Sequence, residues 1–493
     1  MRYILAIDEG TTNAKALAMT ADGAIVARAS RPVDVVFPRP GWVEQNAEQL
    51  WRCALEAAGE CVAAVGGTGP SAIAVTNQRE SVLVWERATG RPLGPCITWQ
   101  CRRTVDICDR LRADGAEAVI AEKTGLTIDP LFSATKARWL LDHIDDGLAR
   151  ATNGDLCVGT VDSWIVWNLT GGVMHVCDAT NASRTQLCEV HAAAWDDRLL
   201  DMFGVPRAAL PAIRPSSEVV GVTRSLDGIA GDIPIASLVG DSHAALFGHA
   251  AFVPGAVKAT YGTGSSLMTP TSSLARAAGL SSTIGWAFPG AVQYALEGNI
   301  TDTGGAVDWA GRLLGGGEPD AVVASLASSV TDNGGLYLVP AFAGLGAPHW
   351  DDRARGMLCG LTRGAGPAHV ARAALESIAY QVRDVFDVMT QAIGAASPTL
   401  LADGGASRND QLMQFQADVL GCPVVRNRST ELSAAGAAWL AGLAIGMWNS
   451  LEQLEHLPRA IDRFEPRMAA AERARLLEGW SDAVRRARSR SDH

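Results

Sequence analysis

The chain lacks several features that would assign a protein of its length to a common class. No run of about 18 uncharged apolar residues occurs in its 493 residues, so no membrane-spanning helix is predicted. Its 42 lysines and arginines are outnumbered by 53 aspartates and glutamates, and no dense basic run precedes the last few residues. This charge balance argues against a nucleic-acid partner.

Cysteine is present, but without a disulfide or metal-binding pattern. The ten cysteines are scattered, and no CxxC pair occurs. In a chain of this size the pattern is typical of reduced, mostly buried thiols, which favours a cytoplasmic protein. The N-terminus enters an apolar strand without a charged and apolar leader, so we do not expect secretion.

Short predicted strands alternate with amphipathic helices along the whole chain. Apolar runs bounded by turn residues indicate strands, and apolar positions at helical spacing indicate helices. The predicted strands lie at 3–6, 14–19, 25–29, 73–76, 82–85, 257–260, 265–269 and 399–402. The predicted helices lie at 47–64, 105–113, 133–143, 368–392, 410–420 and 434–442. Such alternation predicts an α/β fold in which helices cover the sheets.

The two halves of the chain repeat one order of elements. Each half opens with a strand, a glycine turn and a second strand, and Pro254-Gly255 separates the two occurrences. A chain of 493 residues exceeds what one core supports. We therefore expect two domains, residues 1–250 and 251–493, on either side of a catalytic cleft. Ligands in such folds bind where loops leave the strand ends.

Three glycine turns follow predicted strands, and none is a Walker loop, because the pattern GxxxxGK[ST] is absent. They are Asp8-Glu9-Gly10-Thr11-Thr12, Gly262-Thr263-Gly264 and Asp403-Gly404-Gly405-Ala406. Backbone N–H groups in such turns can bind phosphates, and a carboxylate such as that of Asp8 can approach a metal ion. One turn alone is more simply a hairpin that needs a positive φ at glycine. Three of them, in two matching halves, resemble the actin-like (ribonuclease H-like) ATPase fold.

Two short motifs indicate chemistry on a polyhydroxylated substrate. In Asn77-Gln78-Arg79-Glu80, the guanidinium can donate a fork of N–H groups to hydroxyl oxygens, and the carboxylate can accept O–H protons. We call Arg79 and Glu80 the hydroxyl clamp. In Val239-Gly240-Asp241-Ser242, the aspartate can take a proton from a hydroxyl and make it a nucleophile. A clamp combined with a base predicts group transfer to a polyol.

Many spaced stretches of the chain resemble one family. They are 40–44, 76–80, 99–103, 159–162, 180–185, 344–348 and a longer region at 356–376. The chain resembles the FGGY carbohydrate kinases, and within that family glycerol kinase, over essentially its whole length. The resemblance implies transfer of the γ-phosphoryl group of ATP to a terminal hydroxyl of a small polyol, with ATP and Mg²⁺ as cofactors.

The resemblance also implies roles for individual residues. Arg79, Glu80 and Trp99 match positions that hold the polyol. Asp241 matches the general base, and Asp8 matches the position that organises Mg²⁺. The matching positions around the nucleotide are Thr11, Thr12, Asn13, Lys15, Thr263, Gly304, Asp308, Gly405 and Asn409. Related kinases often form dimers or tetramers, so we expect a homo-oligomer.

Four positions depart from the family's pattern. Leu131 stands where the family has a glycerol-contacting tyrosine, Ser242 where it has glutamine, and Ser266 where it has phenylalanine. The fourth is Lys15, which replaces an arginine in the first phosphate-binding turn and cannot bind a phosphate bidentately. The first three changes remove bulk or a hydrogen-bond partner at the end of the polyol away from phosphorylation. They predict a wider pocket, suited to a tetritol or pentitol better than to glycerol.

Three alternatives remain open from the sequence. A keto-sugar of the xylulose or ribulose type is another substrate class within the same family. An actin-like ATPase switch without a small-molecule substrate belongs to a different class, but a switch does not need the hydroxyl clamp. The third is a degenerate kinase that only binds sugar, and the presence of Asp8 and Asp241 argues against it.

Overall fold

The computed structural model describes residues 2–67 and 69–488, which form two compact units. The first unit comprises the chain up to Phe252 together with segments 282–294 and 431–458, and the second comprises the other described residues. Within the described ranges, no helix is long and apolar enough to cross a membrane.

The chain forms strands and helices in alternation, as the sequence predicts. The strands are β1 Tyr3–Glu9, β2 Asn13–Thr20, β3 Ile25–Pro32, β4 Glu44–Gln45, β5 Ala72–Asn77, β6 Val82–Glu86, β7 Cys96–Ile97, β8 Leu156–Thr160, β9 Val176–Asp178, β10 Cys188–Glu189, β11 Ala194–Trp195, β12 Ala212–Arg214, β13 Ser217–Val222, β14 Pro234–Gly240, β15 Ala256–Tyr261, β16 Ser265–Thr271, β17 Ser281–Phe288, β18 Ala291–Ile300, β19 Tyr337–Val339, β20 Met357–Cys359, β21 Thr399–Asp403, β22 Val424–Asn427 and β23 Ile461–Phe464. The α-helices are α1 Ala47–Val65, α2 Val105–Ala113, α3 Glu117–Thr124, α4 Ser133–Asp142, α5 Gly147–Thr152, α6 Val161–Leu169, α7 Ala179–Ser183, α8 Asp197–Phe203, α9 Asp241–Gly248, α10 Gly304–Leu314, α11 Pro319–Ser328, α12 Pro367–Ile393, α13 Asp410–Leu420, α14 Leu432–Ala444, α15 Leu451–Glu455 and α16 Ala470–Ala487.

A six-stranded sheet forms the centre of the first unit. Its strand order is β13-β14-β5-β1-β2-β3. Strands β14, β5 and β1 are parallel neighbours, whereas β1-β2-β3 and the edge pair β13-β14 are antiparallel. Every residue of β5 is buried, which is the pattern of a strand that is covered on both faces.

Helices α1 and α14 pack on this sheet. Helix α1 is amphipathic, and its buried residues recur three and four positions apart from Leu50 to Cys61. Helix α14 is instead buried throughout residues 434–442. Its Gly436 lies against the backbone of Ala244 in α9, so a side chain at position 436 would collide with that carbonyl. The close approach of α9 and α14 therefore depends on this glycine.

A seven-stranded sheet in the order β17-β18-β16-β15-β21-β22-β23 repeats the plan. Strands β15, β21 and β22 are parallel neighbours, while β15-β16 and β22-β23 are antiparallel. Helix α12 packs on β15 and β16 with a continuous buried face. The succession of antiparallel hairpin, parallel strands and antiparallel edge is the same as in the first unit. The expected α/β fold with one plan in both halves is confirmed.

Two segments depart from the expected continuous domains. The chain leaves the first unit after Phe252, near the expected boundary at 250, but segments 282–294 and 431–458 return to that unit. The second segment carries α14, which the order along the chain predicts in the later domain. An apolar helix rich in alanine and glycine suits burial against both α9 and the first sheet. This tertiary packing, rather than chain order, decides where α14 belongs.

Candidate active site

Three neighbouring parallel strands of the first unit end at one edge of the sheet, and predicted site residues lie in or directly after those strand ends. The strand register aligns Asp8 of β1 with Thr76 of β5, and Asn77 of β5 with Gly240 of β14. The edge formed by the carboxyl ends of parallel strands is where α/β proteins bind their ligands. The structure thus brings the predicted metal carboxylate, the hydroxyl clamp and the predicted base to the same edge.

An ion pair joins the clamp to the predicted base. Arg79 Nε lies 3.2 Å from Asp241 Oδ1, and the Arg79 side chain is 7% exposed whereas that of Asp241 is 36% exposed. Gly240 leaves room for this contact, since a Cβ atom there would lie 2.6 Å from both Cγ and Cδ of Arg79. Asp241 also begins α9, where the helix dipole stabilises a negative charge. The pair therefore has one buried and one accessible member.

Glu80 has a backbone conformation that is rare for a residue with a side chain. Its φ of 62° lies in the left-handed region. Its carboxylate Oε1 accepts a hydrogen bond from Arg184 Nε at 2.7 Å, and its backbone carbonyl accepts one from Ser133 Oγ at 3.0 Å. Both partners are buried. Glu80 is therefore held at its backbone and at its carboxylate.

Asp8 lies in a group of like charges. Burial and the negative charges of Asp241 and Glu431 raise the pKa of Asp8 to about 7, and the ammonium of Lys15 partly opposes them. Lys15 is the register partner of Asp8 in β2, and its Nζ lies 3.4 Å from Glu431 Oε2. The excess of negative charge favours a cation beside Asp8.

The first glycine turn is closed by its own hydrogen bonds. The backbone N–H of Gly10 donates to the carbonyl of Asn13 at 3.0 Å, and Asn13 Nδ2 donates to Thr12 Oγ1 at 3.1 Å. Gln45 Nε2 donates to the carbonyl of Thr11 at 2.7 Å. Thr12 is exposed. The turn is thus supported from within the unit and presents a hydroxyl outward.

A buried lysine connects the segments of Trp99 and Leu131, two residues that are predicted to contact the polyol. Trp99 is partly exposed, and its Nε1 donates to Thr11 Oγ1 at 3.0 Å. The carbonyl of Leu131 accepts a hydrogen bond from Lys136 Nζ at 2.7 Å, and the carbonyl of Thr98 lies 3.3 Å from the same ammonium. Burial lowers the pKa of Lys136 to about 8. Lys136 therefore ties the segment before Trp99 to that of Leu131.

Helix α7 carries supporting residues that no motif indicated. Thr180 Oγ1 accepts a hydrogen bond from the backbone N–H of Gly240 at 2.8 Å, and Asn181 exchanges two 3.0 Å hydrogen bonds with the side chain of Asn77. Asp178 caps the helix by accepting from its first backbone N–H groups. One short helix thus holds the ends of β5 and β14. These residues belong to a stretch that resembles the family, but their spacing links them to neither strand.

Ser242 and His243 are adjacent but have different surroundings. Ser242 is partly exposed beside the predicted base. His243 is fully buried, and its Nε2 lies 3.3 Å from Thr283 Oγ1, which is 2.8 Å from Ser183 Oγ. His243 therefore packs inside the first unit, while Ser242 can meet a ligand.

The two glycine turns of the second unit also leave one edge of a sheet, because β15 and β21 are parallel neighbours. A Cβ atom at Gly404 would lie 2.5 Å from the Tyr261 carbonyl, and one at Gly304 would lie 2.6 Å from the Gly262 carbonyl. Only glycine permits such close approach of backbone to backbone. Thr263, which follows Gly262 in the turn, is exposed. The turns therefore present backbone at this edge.

The remaining predicted residues of the second unit have varied surroundings. Gly405 has open space where a Cβ atom would stand. Asn409 caps α13 by accepting a backbone hydrogen bond at 3.0 Å, and Asp308 pairs with an arginine one turn later in α10. Ser266 Oγ donates to Glu297 Oε1 at 3.2 Å. The side-chain oxygens of Asn409, Asp308 and Ser266 thus already have protein partners.

A cation site beside Asp8 would need ligands from outside the protein. Among the described residues, no group of three or more His, Cys, Asp or Glu side chains could hold a metal ion by itself. Mg²⁺ commonly binds through one or two carboxylates and takes its other ligands from water and phosphate. Asp8, with Asp241 nearby, fits that donor set.

Comparison with known proteins identifies the family. Residues 3–248 match the N-terminal domain of the FGGY family of carbohydrate kinases, and residues 257–445 match its C-terminal domain. This chain belongs to the FGGY family of carbohydrate kinases. It is therefore a kinase, that is, a phosphotransferase, and its two sheets have the actin-like (ribonuclease H-like) α/β fold of the family.

The relatives and solved structures cover nearly the whole chain. The chain is 48% identical to the glycerol kinase of Stenotrophomonas maltophilia (strain K279a), over 98% of both chains. It is 47% identical to the apulose kinase of Pectobacterium atrosepticum, over 99% of both chains. The crystal structure of Plasmodium falciparum glycerol kinase with ADP matches with a TM-score of 0.93 and 30% identity, over 99% of both chains. Identity alone does not select between the two substrates that these relatives are named for.

Proposed function

We propose that the protein transfers the γ-phosphoryl group of ATP to a terminal hydroxyl of a small polyol, either glycerol or a somewhat longer polyol. The observation that carries this proposal is the buried Arg79 guanidinium 3.2 Å from Asp241, at the sheet edge that also bears Asp8. Hydroxyl donors and acceptors beside a carboxylate base suit a polyhydroxylated substrate. Membership of the kinase family supports the reaction class.

In this mechanism the clamp orients the substrate and Asp241 takes the proton. Arg79 donates hydrogen bonds to hydroxyl oxygens, and the Glu80 carboxylate accepts a hydrogen bond from a hydroxyl. These contacts direct the terminal hydroxyl toward the γ-phosphorus. Its oxygen bonds to phosphorus as the bond from phosphorus to the bridging oxygen breaks and ADP leaves. The hydroxyl proton passes to Asp241 late in the transfer, because the transition state is loose and the new bond to phosphorus is little formed in it. Positioning and charge stabilisation lower most of the barrier.

We assign the nucleotide to the glycine turns and the cation to Asp8. Backbone N–H groups in such turns bind phosphate oxygens. The residues so assigned are Thr11, Thr12, Asn13 and Lys15 in the first unit, and Thr263, Gly304, Asp308, Gly405 and Asn409 in the second. Mg²⁺ held beside Asp8 would neutralise charge on the phosphates.

We infer that the substrate is longer than glycerol. Leu131 offers no hydrogen bond from its side chain, and Ser242 beside Asp241 is partly exposed. Ser266 has a small side chain where the family has an aromatic ring, and its hydroxyl donates to the buried Glu297. Each change supports a wider pocket with room for additional carbon atoms and hydroxyls, as in a tetritol or pentitol.

A keto-sugar is the second candidate, and the apulose kinase of P. atrosepticum favours it. That relative is 47% identical to this chain, and the glycerol kinase of S. maltophilia is 48% identical. A keto-sugar presents the same terminal hydroxyl to Arg79 and Asp241 and differs only at the distal end. The clamp and the base would therefore act in the same way on either substrate.

Release of ADP in a coupled assay with a panel of glycerol, tetritols, pentitols and keto-pentoses tests this proposal. We expect ADP release to depend on the added substrate and to be fastest with a four- or five-carbon compound. ATP consumption that no polyol or sugar stimulates would overturn the proposed function. A clearly faster release of ADP with glycerol than with every longer compound would overturn the inference of a wider pocket. ³¹P NMR of the product would identify the carbon that is phosphorylated.

The homo-oligomer and the cytoplasmic location stay predictions. All ten cysteines are free thiols, and nine of them are buried, as the sequence predicts. Free buried thiols are usual where the environment is reducing. Sedimentation analysis of the purified protein would test the expected dimer or tetramer.

A further inference from the structure

Arg184 is a fully buried cation that the mechanism above does not use. Its side chain is 0% exposed, and its Nε lies 2.7 Å from Oε1 of Glu80, whose side chain is 5% exposed. The guanidinium carbon also lies 5.0 Å from the centre of the Phe132 ring. A guanidinium that is paired with a carboxylate and packed on an aromatic face has a defined orientation. It therefore fixes the direction of the carboxylate that it binds.

Glu80 needs such support because of its backbone. A non-glycine residue in the left-handed region persists where its surroundings hold it there, and such residues concentrate at functional sites. Here the φ of Glu80 is 62°, and its carbonyl accepts the hydrogen bond from Ser133 Oγ. Ser133 begins α4, and Arg184 directly follows α7. Two separate helices thus hold one residue of the clamp.

We propose that Arg184 and Ser133 are positioning residues for the hydroxyl clamp. Arg184 occupies Oε1 of Glu80 and directs Oε2 toward the substrate hydroxyl, while Ser133 keeps the Glu80 backbone in its left-handed conformation. This inference rests on the proposed function, since it assumes that Glu80 binds the polyol. Loss of either residue displaces Glu80 and weakens polyol binding, whereas the ATP-binding turns keep their own hydrogen bonds.

The chain offers a matched arginine that serves as a control. The side chain of Arg103 is likewise 0% exposed and donates to Glu44 Oε1 at 2.7 Å, and its guanidinium carbon lies 4.0 Å from the centre of the Trp42 ring. It thus has the same combination of burial, carboxylate partner and aromatic face as Arg184. Its carboxylate partner, however, is not part of the clamp. A purely structural role predicts similar behaviour for lysine at both positions.

Steady-state kinetics of Arg184→Lys, Ser133→Ala and Arg103→Lys test the proposal, with wild-type enzyme and its best polyol as reference. We expect the KM for the polyol to rise about 10–100-fold in Arg184→Lys, because a displaced binding group loses its geometry. In Ser133→Ala we expect a rise of about 2–10-fold, the effect of one lost hydrogen bond. The KM for ATP should stay within about twofold of wild type in both variants.

Thermal unfolding and ADP binding by calorimetry accompany the kinetics. Arg103→Lys should lose thermal stability about as Arg184→Lys does while its KM for the polyol stays at the wild-type value. The positioning role would be overturned if the KM for the polyol stays at the wild-type value in both Arg184→Lys and Ser133→Ala. It would also be overturned if that KM rises as much in Arg103→Lys as in Arg184→Lys. If Arg184→Lys fails to bind ADP, its nucleotide site is not intact, and the KM of Ser133→Ala for the polyol alone tests the positioning role. Wild-type enzyme without polyol-dependent turnover would overturn the proposed function, and this inference with it.

Discussion

Replacing Gly240 by alanine should reduce catalysis by displacing one side chain of the clamp. The new Cβ atom would lie 2.6 Å from Cγ and Cδ of Arg79 and 3.2 Å from His243 Nδ1. Non-bonded carbon atoms pack about 3.5–4.0 Å apart, so the Arg79 side chain must move by about 1 Å. The φ of Gly240 is −64°, so alanine adds no backbone strain. A displacement of about 1 Å in a substrate-holding group costs about 100-fold in rate, and the crowding costs about 1–3 kcal/mol of stability.

The assay measures kcat and KM for polyol and ATP in parallel with thermal unfolding. Gly159→Ala is the matched control, because its Cβ atom would lie 2.7 Å from Ser163 Cβ and 2.8 Å from Trp85 Cη2 in the same unit. That variant should lose comparable stability and keep the kinetics of wild type. Wild-type kcat/KM in Gly240→Ala would refute the role of the Arg79–Asp241 contact. An equal kinetic loss in Gly159→Ala would show that crowding alone is responsible.

Two further predictions concern the pocket and a buried acid. Leu131→Tyr should raise the ratio of kcat/KM for glycerol to that for a pentitol by about 5–100-fold, since a hydrogen-bond donor and bulk are restored; an unchanged ratio would count against the wider pocket. Glu9 is fully buried, and neither of its carboxyl oxygens has a hydrogen-bond partner within the described structure. Burial, and to a smaller extent the negative charge of Asp8, raise the pKa of Glu9 well above 4.5. The folded state therefore keeps a proton that the unfolded state releases above pH 4.5, and stability falls as pH rises, by up to about 1.4 kcal/mol per pH unit. Glu9→Gln should thus exceed wild type in urea-unfolding free energy by a margin that grows from pH 5 to pH 8, and a constant margin would contradict this reasoning.

Local patterns predicted many of the elements closely. Helices α2 and α13 have the predicted bounds, 105–113 and 410–420, because apolar positions recur at helical spacing within those bounds. The opening hairpins were predicted because apolar runs ended at glycine turns. Where a local signal is strong, tertiary packing did not override it.

The parts that could not be predicted depend on contacts between distant residues. No sequence spacing indicates that α14 returns to the first sheet, since this follows from the close approach of Gly436 to Ala244. Arg184 is 104 residues from Glu80 along the chain, and its hydrogen bond appears only in the folded structure. The chemistry of the clamp and of the base could be predicted from their residue types. Their proximity depends on the pairing of β5 with β14, and β14 is not among the predicted strands. Neither that pairing nor the residues that hold the clamp and the base could be predicted.

The central claim is that Asp241 accepts the proton of a hydroxyl held by the clamp. Asp241→Asn tests it directly, when ADP release with and without polyol is combined with polyol binding by calorimetry. We predict that wild-type ADP release requires polyol, and that the variant loses about 10²–10⁴-fold in kcat while its Kd for polyol stays within about tenfold. Turnover of Asp241→Asn at the wild-type rate would contradict the account.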